Sequence, residues 1–308
     1  MRGMDAENTL KTPVLVLGAT SLIGRHLLAR LKAEDLEPLA ISRRPPTNDA
    51  CWLDGDLKDP HLADHLPAVA TVFSLSPIWL LPTALPGLKA RGMSRLIAFS
   101  STSRFTKADS PDEGERAVAQ ELADAESAVE TWCAAHGVAW TILRPTLIYD
   151  EGRDENVSRI ARLVKRFHLM PLSGAGEGLR QPVHAEDLAQ GALAAAHAPA
   201  TRNRAYDLVG GETVTYRVMV DRVFEGLGKR PWTLAMPTWL FGLIMRLAKP
   251  FYPGATVAMG ARMGQDLTFD SAQATRDFGW EPRAFHPRFS STSASTMANG
   301  VSAPSRST

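Results

Sequence analysis

The most constraining feature of this 308-residue chain lies near its start. Pro13-Val14-Leu15-Val16-Leu17 is an unbroken β-prone apolar run, Gly18-Ala19-Thr20-Ser21 follows, and Leu22-Ile23-Gly24-Arg25-His26-Leu27-Leu28-Ala29-Arg30-Leu31 has helical periodicity. A buried strand, a glycine turn and an amphipathic helix open a βαβ unit. Residues 38–41, 69–75, 96–99 and 138–143 read as further strands, with a helix over 115–136. These strands are apolar throughout rather than alternating, which requires a parallel sheet covered on both faces. The expected fold is therefore α/β: a Rossmann-type doubly wound parallel sheet with a smaller, mostly helical C-terminal lobe.

Past residue 149 the rhythm changes. Residues 156–167 form a basic amphipathic pattern, 173–178 is a glycine-rich loop, and 185–198, 218–227 and 237–247 read as helices. The organisation expected is a nucleotide lobe over 11–170, with a returning strand near 204–211. A substrate lobe takes 171–203 and 212–288, and the Ser-, Thr- and Ala-rich stretch 289–308 reads as a disordered tail.

Composition removes several classes. Lys and Arg (34) nearly balance Asp and Glu (33), giving a net charge of +1, so no nucleic-acid partner is expected. Cys51 and Cys133 cannot form a disulfide framework or complete a four-ligand zinc site alone. Residues 1–10 are polar, without the apolar core of a secretory signal, and the apolar region 234–248 is interrupted by Pro237 and Arg246. A cytoplasmic protein is expected.

The opening motif carries chemistry. Gly18 allows a tight turn, Gly24 allows close helix–strand packing, and the free N–H groups of the helix start suit a pyrophosphate. Ser21 occupies the place of the middle glycine, where its side chain either crowds a phosphate or caps the helix. After the second strand come Ser42-Arg43-Arg44, with no acid before Asp49. Carboxylates there bind the ribose hydroxyl of NAD, whereas guanidinium groups suit the 2′-phosphate of NADP. NADP is the favoured cofactor and NAD the alternative.

Taken together, these residues resemble the extended short-chain dehydrogenase/reductase superfamily, in particular its NAD-dependent epimerase/dehydratase group acting on nucleotide sugars. The resemblance covers roughly residues 12–285. It rests on Gly18-Ala19-Thr20-Ser21-Leu22-Ile23-Gly24, Asp54-Gly55-Asp56-Leu57, Ser74-Leu75-Ser76-Pro77, Phe99-Ser100-Ser101-Thr102 and Leu143-Arg144-Pro145-Thr146. The segment from Arg180 through His184 to Asp187-Leu188-Ala189 completes the series. The resemblance implies cofactor contacts from Gly18, Thr20, Ser21, Leu22, Ile23, Gly24, Ser42, Arg43, Arg44, Asp56, Leu57, Leu75, Ser76, Pro77, Ser100, Ser101 and Pro145. It makes Thr102 the catalytic Ser/Thr.

The family's Tyr-x-x-x-Lys pair is absent. Four residues beyond Tyr149, Tyr206, Tyr216 and Tyr252 stand Arg153, Gly210, Val220 and Thr256. The two matching positions are Val118 and Leu122, neither able to move a proton. Lys107, Glu115, His136 and Tyr149 remain as candidate acids. Two readings stand open: a reductase or epimerase/dehydratase using other groups, or a non-catalytic NADP-binding sensor or assembly protein.

On the substrate side the resemblance implies that Arg180 and Arg262 grip a nucleotide-sugar diphosphate, with Asn156 a further contact; paired guanidinium groups suit such an anion. His184 and Asp187 read as loop-orienting and helix-capping residues. No metal site is expected from His184, Glu186 and Asp187, because consecutive helical positions do not share a face. The helix over 237–247 is apolar nearly all round, which fits either a core or lid helix or a peripheral contact with a membrane or partner. The sequence is compatible with an oligomer.

Overall fold

The computed structural model describes residues 10–46, 51–248 and 257–289. The expected tail over 290–308 therefore lies outside the described residues, as do Asp49 and Tyr252. The chain runs β1 (Val14–Leu17), α1 (Leu22–Ala33), β2 (Leu39–Ser42), β3 (Trp52–Asp54), β4 (Thr71–Ser74), α2 (Leu81–Ala90), β5 (Arg95–Phe99), α3 (Ser103–Thr106), α4 (Glu113–Ala135) and β6 (Ala139–Pro145). It continues through β7 (Ile148–Tyr149), α5 (Val157–Phe167), β8 (Met170–Ser173), β9 (Leu179–Arg180), β10 (Val183–His184), α6 (Ala185–His197) and β11 (Arg204–Leu208). Last come β12 (Val214–Thr215), α7 (Tyr216–Gly226), β13 (Thr233–Met236), α8 (Thr238–Ala248), α9 (Val257–Arg262) and α10 (Ala272–Phe278).

Seven strands form one parallel sheet in the order β11-β6-β5-β4-β1-β2-β3. The chain reverses direction across the sheet between β1 and β4, the switch point where doubly wound sheets open a crevice at their carboxyl ends. Alternation along β1 explains the two covered faces. Val14 and Val16 pack beneath α1 and α6, whereas Leu15 and Leu17 pack beneath α2 and α4. Complete burial of each such side chain stabilises the fold by about 1.5–3 kcal/mol.

Helix ends follow local chemistry. Ser21 caps α1, its hydroxyl accepting from Gly24 N at 3.1 Å. Asp112 caps α4 by accepting from Glu115 N at 3.0 Å, and Gly137 at φ 63° turns the chain out of that helix toward β6.

A third apolar cluster gathers α5, α7, Leu172 of β8 and Phe285. Here the structure departs from the expected lobes. Helix α5, expected in the nucleotide lobe, buries Val157, Ile160, Ala161 and Val164 with α7 rather than on the sheet. Helix α6, expected in the substrate lobe, covers the sheet beside α1. Its Ala-rich composition read only as helix; its partner became visible only in three dimensions. Three two-stranded ribbons (β7 with β10, β9 with β12, β8 with β13) tie the later segments together.

Candidate functional site

Two clefts meet at the start of α1. The first, about 430 Å³, opens at the switch point and is lined by residues that include Gly18, Thr20, Ser21, Ser42, Arg43, Asp56, Leu57, Leu75, Ser76 and Pro77. Gly18 sits at φ 71°, and a Cβ there would lie 2.7 Å from Ser76 Oγ. A Cβ at Gly24 would collide with the backbone of Ala19. Both glycines are thus required by geometry. Ser21 turns its hydroxyl onto the helix as a cap, which leaves the N–H groups of Leu22 and Ile23 without an intrahelical acceptor. That cradle, with its dipole, fits the pyrophosphate of a dinucleotide.

The far end of this cleft is shaped by the turn after β2. Ser42 Oγ lies 3.3 Å from Thr20 Oγ1 and accepts from Arg44 N at 3.2 Å, fixing the turn after β2. Arg43 lines the cleft, while the exposed Arg44 does not. Lys58, not singled out from the sequence, lines the cleft together with Arg43. Its backbone is held by an Asx turn, Lys58 N donating to Asp56 Oδ1 at 3.0 Å. Gly55, Trp79 and Leu80 also line the cleft without having been expected.

The second cleft, about 600 Å³, is lined by residues that include Leu22, Ser101, Thr102, Lys107, Asn156, Arg180, Gln181 and Arg262. Thr102 is buried and donates its hydroxyl proton to Pro145 O at 3.1 Å, leaving an oxygen that can only accept. Ser100 and Pro145 line neither cleft. Ser100 instead donates to Glu126, a fully buried carboxylate on α4 that also pairs with Arg104 and, at 2.6 Å, with Arg144. Val118 and Leu122 pack with the core beneath α4 and reach neither cleft.

The candidate acids separate clearly. Tyr149 is buried against Phe285 and His184, and burial followed by the nearby Glu151 pushes its phenol further up. His136 stacks on Trp132, ring centroids 4.0 Å apart, at the end of α4. Glu115 is paired with Arg262 and accepts from Ser110 Oγ at 2.7 Å. Lys107 lines the second cleft, and among the described residues its ammonium has no carboxylate within ion-pair distance. Burial and, next, the Arg262 guanidinium lower its pKa below that of an ordinary lysine.

Arg180 departs from its expected role. Its guanidinium donates to the carbonyls of Leu179 and Gln265, both at 2.7 Å, and of Arg262 at 2.5 Å, and lies over the Tyr216 ring. Two of these hydrogen bonds, to Gln265 and Arg262, brace the segment carrying Arg262, while Arg180 still lines the second cleft. Asn156 donates its amide to Ile148 O at 3.1 Å.

One acidic cluster was not foreseen: Asp150, Glu151 and His184 bring ligand-type atoms within 4.8 Å of one another. His184 caps α6, Nδ1 accepting from Glu186 N at 3.1 Å, so Nε2 carries the proton and donates to Glu151 at 2.9 Å. A ring with both nitrogens so engaged has no lone pair for a metal. Asp150 is paired with Arg25 of α1, so the cluster links the cofactor helix to β7 and α6.

Comparison with known proteins agrees with this geometry. Residues 18–199 match the model of the family described as NAD(P)H-binding. UDP-glucose 4-epimerase from Vibrio cholerae is 26% identical over 141 residues, 46% of this chain and 41% of that protein. Subunit 9 of the NADH dehydrogenase [ubiquinone] 1 alpha subcomplex of Dictyostelium discoideum mitochondria is 26% identical over 86 residues, 28% of this chain and 24% of that protein. The chain thus spans less than half the length of these curated relatives. Among solved structures, MoeE5 in complex with UDP-glucuronic acid and NAD superposes with TM-score 0.69 at 22% identity, over 89% of this chain and 95% of that one. UDP-glucose 4-epimerase from Thermotoga maritima with UDP-glucose gives 0.66 at 16% identity, over 88% and 94%. These likenesses show that the chain shares the fold of both structures.

Proposed function

The chain belongs to the NAD(P)H-binding family, and from that premise we propose an NADP-dependent oxidoreductase or epimerase/dehydratase-type enzyme acting on a nucleotide-sugar-like substrate. A nicotinamide dinucleotide supplies or accepts a hydride when bound in the first cleft. Arg43, joined by Lys58, holds the 2′-phosphate. Thr102 accepts a hydrogen bond from the substrate hydroxyl, and Lys107 donates or removes the proton at the substrate oxygen. Arg262 exchanges Glu115 for the diphosphate, with Arg180 holding the Arg262 backbone in place.

The observation that carries the reading is the second cleft itself: it begins at Leu22, one residue from Ser21 of the first, and carries a buried Thr102 and a Lys107 that has no carboxylate at ion-pair distance among the described residues. Purified protein with NADPH and a panel of keto-nucleotide sugars, or with NADP+ and hydroxy-nucleotide sugars, followed both by nicotinamide absorbance and by chromatography of the sugar products, tests it. Turnover of at least one member is expected; binding of NADPH without turnover across the panel overturns the enzymatic reading. A non-catalytic NADP-binding protein is the second reading, favoured by the missing Tyr-x-x-x-Lys pair and by the internal pairing of Arg180 and Arg262.

A further inference from the structure

We propose that the β8–β13 ribbon and its flanking helices form a docking surface for an anionic lipid membrane. Helix α8 has two apolar faces. Phe241, with the half-buried Met245, turns inward to the third core cluster. Trp239, Leu243 and Leu247, spaced one turn apart, remain 71%, 49% and 69% exposed. On the same ribbon Met170 N donates to Trp232 O at 3.0 Å, which sets the exposed Trp232 beside the end of α5, where Phe167 is also exposed.

Charge names the occupant. Segments 157–168 and 228–247 contain seven basic residues (Arg159, Arg162, Lys165, Arg166, Lys229, Arg230, Arg246) and no Asp or Glu, in a chain whose net charge is only +1. Because α5 buries its apolar stripe, Lys165 and Arg166 lie outward, as does Arg162, which is paired with the exposed Glu155 at 2.8 Å. A second copy of this chain would oppose like charges across the contact. A nucleic acid would satisfy the cations but leave the Trp239, Leu243 and Leu247 stripe in water. An anionic bilayer satisfies both: basic side chains reach headgroup phosphates while Trp and Leu enter the interface. No helix among the described residues is long and apolar enough to cross a membrane, so the contact is peripheral. This inference is independent of the proposed chemistry.

The test is co-sedimentation of the full chain with vesicles of phosphatidylcholine alone and of phosphatidylcholine with phosphatidylglycerol, at low and high salt. Expected is partition onto the anionic vesicles, falling with salt. It drops about tenfold or more in the Trp239→Glu/Leu243→Glu protein and in the Arg166→Glu/Arg230→Glu protein. NADPH affinity, measured in parallel, stays unchanged and reports an intact fold and cofactor cleft. Failure to bind anionic vesicles at low salt overturns the proposal. So does vesicle binding unaffected by the Trp239→Glu/Leu243→Glu change, binding to heparin without vesicle binding, or a dimer in solution abolished by that change without vesicle binding.

Discussion

The guanidinium of Arg262 is paired with the carboxylate of Glu115, joining α9 to the first turn of α4 across 147 residues of sequence. The pair is partly buried, and Arg262 also lines the second cleft. An anionic ligand entering that cleft competes with Glu115 for the same cation. Glu115→Gln keeps the backbone capped by Asp112 while weakening the competitor. UDP affinity is expected to rise about two- to fivefold, the range of a partly exposed ion pair. Isothermal titration with UDP measures it, and unchanged or weakened binding removes Arg262 from the ligand site.

Arg43 and Lys58 line the cofactor cleft, whereas Arg44 does not. A hydrogen bond to a charged group contributes about 1.5–3 kcal/mol. Arg43→Ala should therefore weaken NADPH binding roughly tenfold or more with NADH binding little changed, and Lys58→Ala should act in the same direction. Arg44→Ala should leave the ratio nearly intact. Fluorescence titration with both reduced cofactors decides the matter. A wild-type preference for NADH contradicts the NADP assignment.

Glu126 is fully buried and holds Ser100, Arg104 and Arg144 at the carboxyl end of the sheet. Removing one member of a buried ionic network leaves the others uncompensated. Glu126→Ala is expected to cost about 3–5 kcal/mol of unfolding free energy, read by urea denaturation. A loss below about 1 kcal/mol would mean that water readily replaces the carboxylate.

Much of this architecture was legible from residue patterns, and the reasons are local. The run Val14–Leu17, the turn at Gly18 and the cap at Ser21 are set by neighbours in sequence, and the cofactor cleft follows from them. Long-range partners were not legible. Nothing near Ser100 announces that its hydroxyl turns to Glu126 on α4. Arg180 matched a ligand-binding pattern, yet its donors go to carbonyls more than eighty residues away, at Arg262 and Gln265. Lys58 follows Asp56-Leu57 directly in sequence, but only the approach of the β2 and β3 ends brings it to the cleft with Arg43. In the sequence His136 already reads as a helix-end residue and Tyr149 as a packing residue, while Lys107 and Glu115 stay level; burial, stacking and pairing in the structure distinguish Lys107 from the others.

Lys107 is expected to supply the proton at the substrate oxygen, in a chain without a Tyr-x-x-x-Lys pair. In the reductive direction the ammonium is the active form. The rate should then fall as pH rises through a value below the ordinary lysine pKa of about 10.4, because burial and Arg262 lower it. In the oxidative direction the neutral amine is the active form, and the dependence reverses. The most direct measurement is the pH profile of NADPH-dependent reduction for the wild-type protein and for Lys107→Met, on whichever nucleotide sugar the panel identifies. The account expects a high-pH limb in the wild type, and in the variant a loss of about 10²–10⁴-fold together with loss of that limb. NADPH affinity should stay unchanged in the variant. A variant that retains both its rate and its pH profile contradicts the account.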